Sequence, residues 1–170
     1  MEPPITPDTR NSTSPPGTFR TSREIPATEA QVFAAIGDPE RLARWWGPAG
    51  FTNTFEVCEF KVGGRWTFTM HAPNGTDYPN ENEFVEIEEP RRVVVQHVSE
   101  PRFRLTLGLT QTPTGTVVSW EQVFESAEFA GRVAHIVVPA NEDNLDRLTV
   151  EVLREPPLSL GDASESGRNR

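Results

Sequence analysis

Six short runs of alternating apolar and polar residues follow one another between residues 52 and 125. A period of two is typical of a β-strand that buries one face. Turn residues, most of them Gly or Pro, separate the runs, and such short connections join antiparallel neighbours. The sequence therefore predicts a meander of consecutive strands that is apolar on one face only. The runs are 52–60, 65–72, 82–89, 91–98, 102–110 and 115–125.

A further strand and two short helices are predicted before this meander. Residues 18–25 alternate in the same way. Thr28 and Gln31 have the spacing of a capping box, which predicts a helix that begins there and ends near residue 36. Asp38 followed by Pro39 is a second helix start, an N-cap residue with Pro in the first turn. Gly47-Pro48 ends that helix after two adjacent tryptophans.

A long C-terminal helix is predicted for residues 127–154, with a break or kink at Pro139 because proline lacks the N–H that a helix interior needs. After Pro139 apolar residues recur at helical spacing, so this side is expected to cover the apolar face of the sheet. The apolar stripe is Leu145, Leu148, Val152 and Leu153. The residues expected on the outer side are Asp143, Asp146, Arg147 and Glu151.

Several motifs together resemble one family, the AHSA-type proteins (activator of heat-shock-protein ATPase homologue-like) of the START-like SRPBCC superfamily. The resemblance covers about residues 18–154. It implies an α+β helix-grip fold, with a curved antiparallel sheet of six to seven strands around the long C-terminal helix. The matching motifs are the WWGP corner, the VGGRW hairpin, M-x-x-P-x-G-x-x-Y-P, E-I-x-x-P-x-R, His97, TGTVVSWEQVFES and NLDRL.

The resemblance also implies a mostly apolar cavity between the sheet and the long helix, with the short helices at its mouth. Alternation places three polar residues, Arg23, His97 and Gln122, on the apolar side. Either they satisfy one another and the backbone, or they orient a ligand's oxygen atoms. Tyr78 and Glu83 are further candidates. The expected lining is Arg23, Trp45, Trp46, Phe51, Trp66, Phe68, Met70, Tyr78, His97, Leu105, Leu107, Trp120, Gln122, Leu145 and Leu148.

The two tryptophans at the WWGP corner are expected to have different roles. Adjacent residues of a helix point about 100° apart, so Trp45 and Trp46 do not face the same way. One should anchor the helix to the sheet while the other lies near the mouth of the cavity. We assign Trp46 as the anchor and Trp45 as the mouth residue.

Three functions compete on this sequence. The first is a binding module for a small apolar or aromatic molecule. The second is a cyclase-, aromatase- or hydrolase-type enzyme in which His97, whose side chain titrates near neutral pH, works with a carboxylate or Tyr78. The third is a chaperone ATPase regulator, which the name of the resembled family suggests, although the resemblance covers one domain only. The three His and Cys58 lack the spacing of metal ligands, so neither a metal nor another cofactor is expected.

Composition restricts the partners. The formal net charge is −9, and such a field repels nucleic acid and anionic membrane surfaces. One Cys and no apolar run of membrane-spanning length favour a cytoplasmic protein, with a homodimer left open. Residues 1–16 and 155–170 are poor in apolar and rich in polar residues, which predicts disordered tails around a single domain at 17–154.

Overall fold

The computed structural model describes residues 15–154, so the expected tails lie outside it except for Pro15 and Pro16. The described residues form seven strands and three helices in the predicted order. The strands are β1 Thr18–Ile25, β2 Thr52–Cys58, β3 Arg65–His71, β4 Asp77–Glu88, β5 Arg92–His97, β6 Phe103–Thr112 and β7 Gly115–Phe124. The helices are α1 Glu29–Gly37, α2 Pro39–Trp45 and α3 Ala127–Arg154.

The strands form one antiparallel sheet in the order β1-β7-β6-β5-β4-β3-β2. β2 to β7 pair in sequence order. The first strand, β1, pairs with the last one, β7, along its whole length, from Thr18 opposite Val123 to Ile25 opposite Thr116. With α1 and α2 after the first strand and α3 across the sheet, the predicted helix-grip fold is confirmed.

Strand β4 is longer than the sequence suggested, beginning at Asp77 rather than near residue 82. Its first half pairs with β3, where Pro79 stands opposite Thr69. Pairing with β5 starts only at Asn82. Pro79 therefore lies where β4 is an edge strand, so its missing N–H leaves no ladder bond unmade.

The core lies between the inner face of the sheet and the helices. Alternate residues are buried along most of β6 and β7, as the period of two predicted, whereas β5 buries three consecutive valines, Val93 to Val95. On α3 the predicted stripe of Leu145, Leu148 and Val152 is buried, whereas Leu153 is 50% exposed and does not belong to it. α1 and α2 both contact α3, and Arg41 and Arg44 of α2 pair with Glu151 near the end of that helix.

α3 continues as one helix through Pro139, so of the expected break or kink, a break is absent. Proline removes a single hydrogen bond, the one from position 139 to the carbonyl four residues earlier. Packing on the C-terminal side of Pro139, where Asn141, Asn144 and Leu145 are buried, holds the helix together across this position. Tertiary contacts thus override the local preference.

Two residues expected on the outer side of α3 face the protein instead. Glu151 is 4% exposed, and Arg147 donates to backbone carbonyls of the segment after α2. The reason is that α2 and the turn after it cover this side of α3. Asp146 is exposed as predicted and pairs with Arg23.

Replacing Thr28 with alanine is expected to lower the free energy of unfolding by about 1 kcal/mol. The Thr28 hydroxyl accepts from the Gln31 N–H at 3.1 Å, and the Gln31 side chain accepts from the Thr28 N–H at 2.8 Å. Thr28→Ser keeps this capping box and should lower the free energy of unfolding by only a few tenths of the loss expected for alanine. Urea unfolding of the two variants measures the difference, and equal losses would contradict the assignment.

Candidate ligand-binding site

A pocket of about 190 Å³ lies between the sheet and the middle of α3. Its walls are mainly apolar side chains from the sheet, the WWGP corner and the helix. These apolar residues are Trp46, Pro48, Phe68, Met70, Phe103, Leu105, Trp120, Ile136, Val137 and Ala140. Five polar side chains, Asn80, His97, Gln122, Asn141 and Asn144, complete the lining together with Gly47.

The pocket brings together seven of the fifteen residues expected to line a cavity: Trp46, Phe68, Met70, His97, Leu105, Trp120 and Gln122. Four others, Trp66, Leu107, Leu145 and Leu148, are buried in the filled core beside it. They are buried as predicted, but they belong to one packed core cluster with residues of α1 and α2 and with Val152 of α3. The alternation of strands identifies the inner face and carries no information on which part of that face stays uncovered.

The roles assigned to the two tryptophans are wrong, because they are reversed. Trp45 is 1% exposed, and its Nε1–H donates to the carbonyl of Ala35 in α1 at 3.0 Å. Trp46 lines the pocket and stacks on Trp120, with ring centroids 5.9 Å apart. α2 ends at Trp45, and Trp46 has extended backbone with ψ 137°. The angular spacing of a helix therefore does not apply to this pair.

The WWGP corner is fastened to α3 by polar contacts. The Gly47 N–H donates to Asn144 Oδ1 at 2.8 Å, and the Ala49 N–H donates to Asp143 Oδ2 at 3.2 Å. The guanidinium of Arg147 donates to five backbone carbonyls in this corner and directly beside it, those of Arg44, Trp46, Gly47, Pro48 and Phe51. Burial lowers the pKa of Arg147, and the charge of Asp143 opposes this effect. These contacts hold one wall of the pocket in place.

Four predicted site residues lie elsewhere. Arg23 forms ion pairs with Glu142 and Asp146 on α3. It therefore joins β1 to α3 and does not line the pocket. Phe51 and Tyr78 pack on each other with centroids 6.3 Å apart, and neither lines the pocket. Trp45 is the fourth, as described above. The further candidate Glu83 stands opposite Gln96 and is exposed on the outer face of the sheet.

His97 is buried at one end of the pocket, and both of its ring nitrogens are engaged. Nδ1 lies 2.7 Å from the Pro101 carbonyl oxygen, and Nε2 lies 2.6 Å from Asn80 Oδ1. Burial lowers its pKa, partly offset by the backbone hydrogen bond to Pro101. A neutral ring keeps both contacts only if the Asn80 amide turns its NH₂ group toward Nε2.

Two polar atoms of the lining side chains are buried without a hydrogen-bond partner among the described residues. They are Gln122 Oε1 and Trp120 Nε1. Buried polar groups are normally paired, and an unpaired one costs free energy. Sequence alternation placed Gln122 correctly on the inner face. The polar residues Asn80, Asn141 and Asn144 were missed, because a single Asn gives no signal that separates a lining group from a surface one.

Other chemistries find little support in the part of the chain that the structure describes. Residues 15–154 hold no cluster of three His, Cys, Asp or Glu side chains that could bind a metal. Burial raises the pKa of the Cys58 thiol to about 11, so this residue is a poor nucleophile at neutral pH. Within the same residues, no helix has both the length and the apolar character needed to cross a membrane.

The sequence of this chain matches a known protein family, and its fold matches solved structures. Residues 26–152 match the family "Activator of Hsp90 ATPase homolog 1-like protein". The NMR structure of a protein from Arthrobacter aurescens is similar, with a TM-score of 0.75 and 26% identity over 82% of this chain and 88% of that one. No curated protein matches the chain.

Two further solved structures show the same fold at lower identity. An AHSA1-like protein from Aeromonas hydrophila has a TM-score of 0.64 and 22% identity, covering 81% of this chain and 92% of that one. Protein NE0264 from Nitrosomonas europaea has a TM-score of 0.74 and 17% identity, covering 82% and 96%. The family match spans most of the chain, and the chain therefore belongs to the activator of Hsp90 ATPase homolog 1-like family.

Proposed function

We propose that this protein binds a small apolar or aromatic molecule in the pocket between the sheet and α3. The observation that carries this proposal is the combination of apolar walls with two buried polar atoms, Gln122 Oε1 and Trp120 Nε1, that have no hydrogen-bond partner in the described part of the chain. Ligand sites in proteins typically have this composition. A cytoplasmic location and a homodimer remain predictions.

The volume of the pocket limits the size of the ligand. Drug-sized ligands occupy pockets of about 300–1,000 Å³, whereas this pocket has about 190 Å³. An apolar cavity of about 150 Å³ is known to hold benzene. A molecule with one ring, or an aliphatic chain of similar bulk, therefore fits without movement of the walls.

Catalysis is the weaker candidate for this site. A general base needs a free nitrogen in the neutral ring, but both nitrogens of His97 are occupied, by Pro101 and by Asn80. The carboxylate partner considered from the sequence, Glu83, lies on the opposite face of the sheet. Tyr78 is 47% exposed and outside the pocket. The geometry thus favours binding over acid–base chemistry.

Filling the pocket from the helix side tests the proposal. Ala140 lines the pocket, so the phenyl group of Ala140→Phe should occupy the ligand's space. Wild-type protein in a thermal-shift screen of toluene, phenol and benzamide should gain stability with at least one of them, by about 2.7 kcal/mol at a hundred times its Kd. Ala140→Phe should lose this gain.

Val150→Phe is the matched control, because Val150 is 64% exposed on the same helix and does not line the pocket. Its response to the probes should equal that of the wild type, and circular dichroism checks that both variants fold. The proposal fails if no one-ring probe stabilises the wild type, or if Ala140→Phe binds as well as Val150→Phe does.

A further inference from the structure

We infer that the ligand of this pocket is uncharged and presents both a hydrogen-bond donor and an acceptor, as a carboxamide or lactam does. This inference rests on the proposed binding function and deepens it. It is carried by two observations on the part of the lining that residues 15–154 provide: it has no charged side chain, and it has two primary amides, on opposite walls, that lack hydrogen-bond partners within that range at Gln122 Oε1 and at the Asn141 side chain.

The first observation concerns charge. Among the described residues that line the pocket, none is Asp, Glu, Lys or Arg. The charged residues of the adjoining part of α3 are directed elsewhere: Glu142 binds Thr21 and Arg23, Asp143 binds Ala49, and Arg147 binds the carbonyls of the WWGP corner. An ionised ligand would give up part of its hydration in this lining without gaining a counter-charge, which is unfavourable. The lining therefore disfavours carboxylates, phosphates and ammonium groups.

The second observation concerns the amides. Gln122 on β7 is 8% exposed, and its Oε1 lacks a hydrogen-bond partner within residues 15–154. Asn141 on α3 is 6% exposed, and its side-chain amide makes no hydrogen bond with any residue in the range 15–154. Each amide offers an acceptor oxygen and an NH₂ donor. Because the two residues line the same pocket from the sheet and from the helix, they match a ligand that both donates and accepts.

The aromatic part of the lining supports the same ligand class. Trp120 Nε1 is a third group without a partner among the described residues, and it can only donate, so it adds a preference for an acceptor on the ligand. Trp46 stacks at 26° to Trp120, and Phe103 stacks on His97, so flat surfaces are available for a ring. A planar molecule with a polar amide-like edge uses both kinds of wall.

Three probes of nearly equal size separate the possibilities in calorimetric titrations of the full chain at pH 7. Benzamide is neutral with a donor and an acceptor, benzoate is its charged counterpart, and toluene lacks polar atoms. Benzamide is expected to bind about tenfold or more tightly than toluene, because it satisfies buried groups that otherwise stay unpaired. Benzoate is expected to bind more weakly than either.

The variant Gln122→Leu/Asn141→Leu removes both amides at similar volume. It should lose about tenfold or more in benzamide affinity while toluene binds as well as before or better. Gln96→Leu is the control, since Gln96 donates to the Phe103 carbonyl from the outer face of β5, and its probe affinities should equal those of the wild type.

The outcomes distinguish the inference from the function on which it rests. Toluene binding with no preference for benzamide, or benzoate binding as tightly as benzamide, would overturn the inference alone. Absence of binding by all three probes would overturn the proposed function as well. If the double variant does not fold, the ranking of the probes on the wild-type protein still decides the question.

Discussion

Replacement of Glu151 by alanine is expected to lower the free energy of unfolding by about 3–5 kcal/mol. The carboxylate is 4% exposed and accepts hydrogen bonds from Arg41, Arg44 and Arg154 at 2.9–3.3 Å. Arg41 also donates to the Glu151 carbonyl, so this cluster joins α2 to the end of α3. Its loss leaves Arg41, itself only 12% exposed, with a buried charge that has lost its carboxylate.

The same cluster predicts a dependence of stability on pH. Burial alone raises the pKa of Glu151, but the hydrogen bonds from Arg44, Arg41 and Arg154 more than offset this and lower it from 4.5 to about 2. A carboxyl whose pKa is depressed on folding stabilises the native state fully above its unfolded pKa. That contribution is lost as the pH falls from about 4.5 toward 2. The wild type should lose its advantage over Glu151→Gln across this range.

Urea unfolding at a series of pH values measures both effects. Glu128→Ala is the matched control, because Glu128 lies on the same helix, pairs with Arg132, and has a side chain that is 86% exposed. Such a surface pair is worth about 0–1 kcal/mol. A loss for Glu151→Ala no larger than for Glu128→Ala, or a difference between wild type and Glu151→Gln that stays constant down to pH 2, would show that the cluster does not stabilise the fold.

The fold was predictable from the sequence because local patterns and global architecture agree. Alternation in the strands and the capping box at Thr28 each follow from chemistry within a few residues. Consecutive antiparallel pairing needs only the short turns between strands, and the inner face needs only the parity of residues such as Trp66 and Trp120. These features carry over to the structure almost unchanged.

The charged residues of α3 show where this reasoning stops. Glu151 and Arg147 have charged neighbours at helical spacing, a pattern typical of a solvent-facing side. Their actual partners, Arg41 and the carbonyls of the WWGP corner, are about 100 residues away in sequence. A helical pattern identifies which residues share one side of a helix, but it does not show whether another element covers that side.

The pocket could be anticipated in kind but not in position. Leu105 and Leu107 lie on the same inner face of β6, yet only Leu105 lines the pocket. The difference comes from α3, because Leu145, Leu148 and Val152 fill the space over one part of the sheet, whereas the pocket remains open beside residues 136–144. Packing of a helix on a curved sheet depends on side-chain volumes from many strands at once, and no local pattern records that sum.

Replacement of Arg147 is expected to lower both the free energy of unfolding and the affinity of the pocket for a ligand. Its two terminal nitrogens contact five backbone carbonyls at 2.8–3.1 Å. Three of these carbonyls belong to Trp46, Gly47 and Pro48, which line the pocket. Hydrogen bonds from a charged donor contribute about 1.5–3 kcal/mol each, and bonds that share one donor group do not add up. Arg147→Met, which keeps much of the aliphatic stem, should therefore cost about 2–4 kcal/mol.

Lysine at this position is expected to recover less than half of that loss, because an ammonium is a compact charge and cannot spread its donors over five acceptors as the planar guanidinium does. Hydrogen exchange should report the local effect. The amides of Gly47 and Ala49, which donate to Asn144 and Asp143, should exchange faster in both variants. Both variants should also bind more weakly to the one-ring probe that binds the wild type.

Arg132→Met is the control for this series, since Arg132 lies on α3 with a side chain that is 64% exposed. It should change the free energy of unfolding by no more than about 0.5 kcal/mol. If Arg147→Lys matched the wild type in stability, the carbonyl contacts would not be the cause. If Arg147→Met lost stability without faster exchange at Gly47 and Ala49, Arg147 would stabilise α3 alone, and the wall of the pocket would owe its position to Asn144.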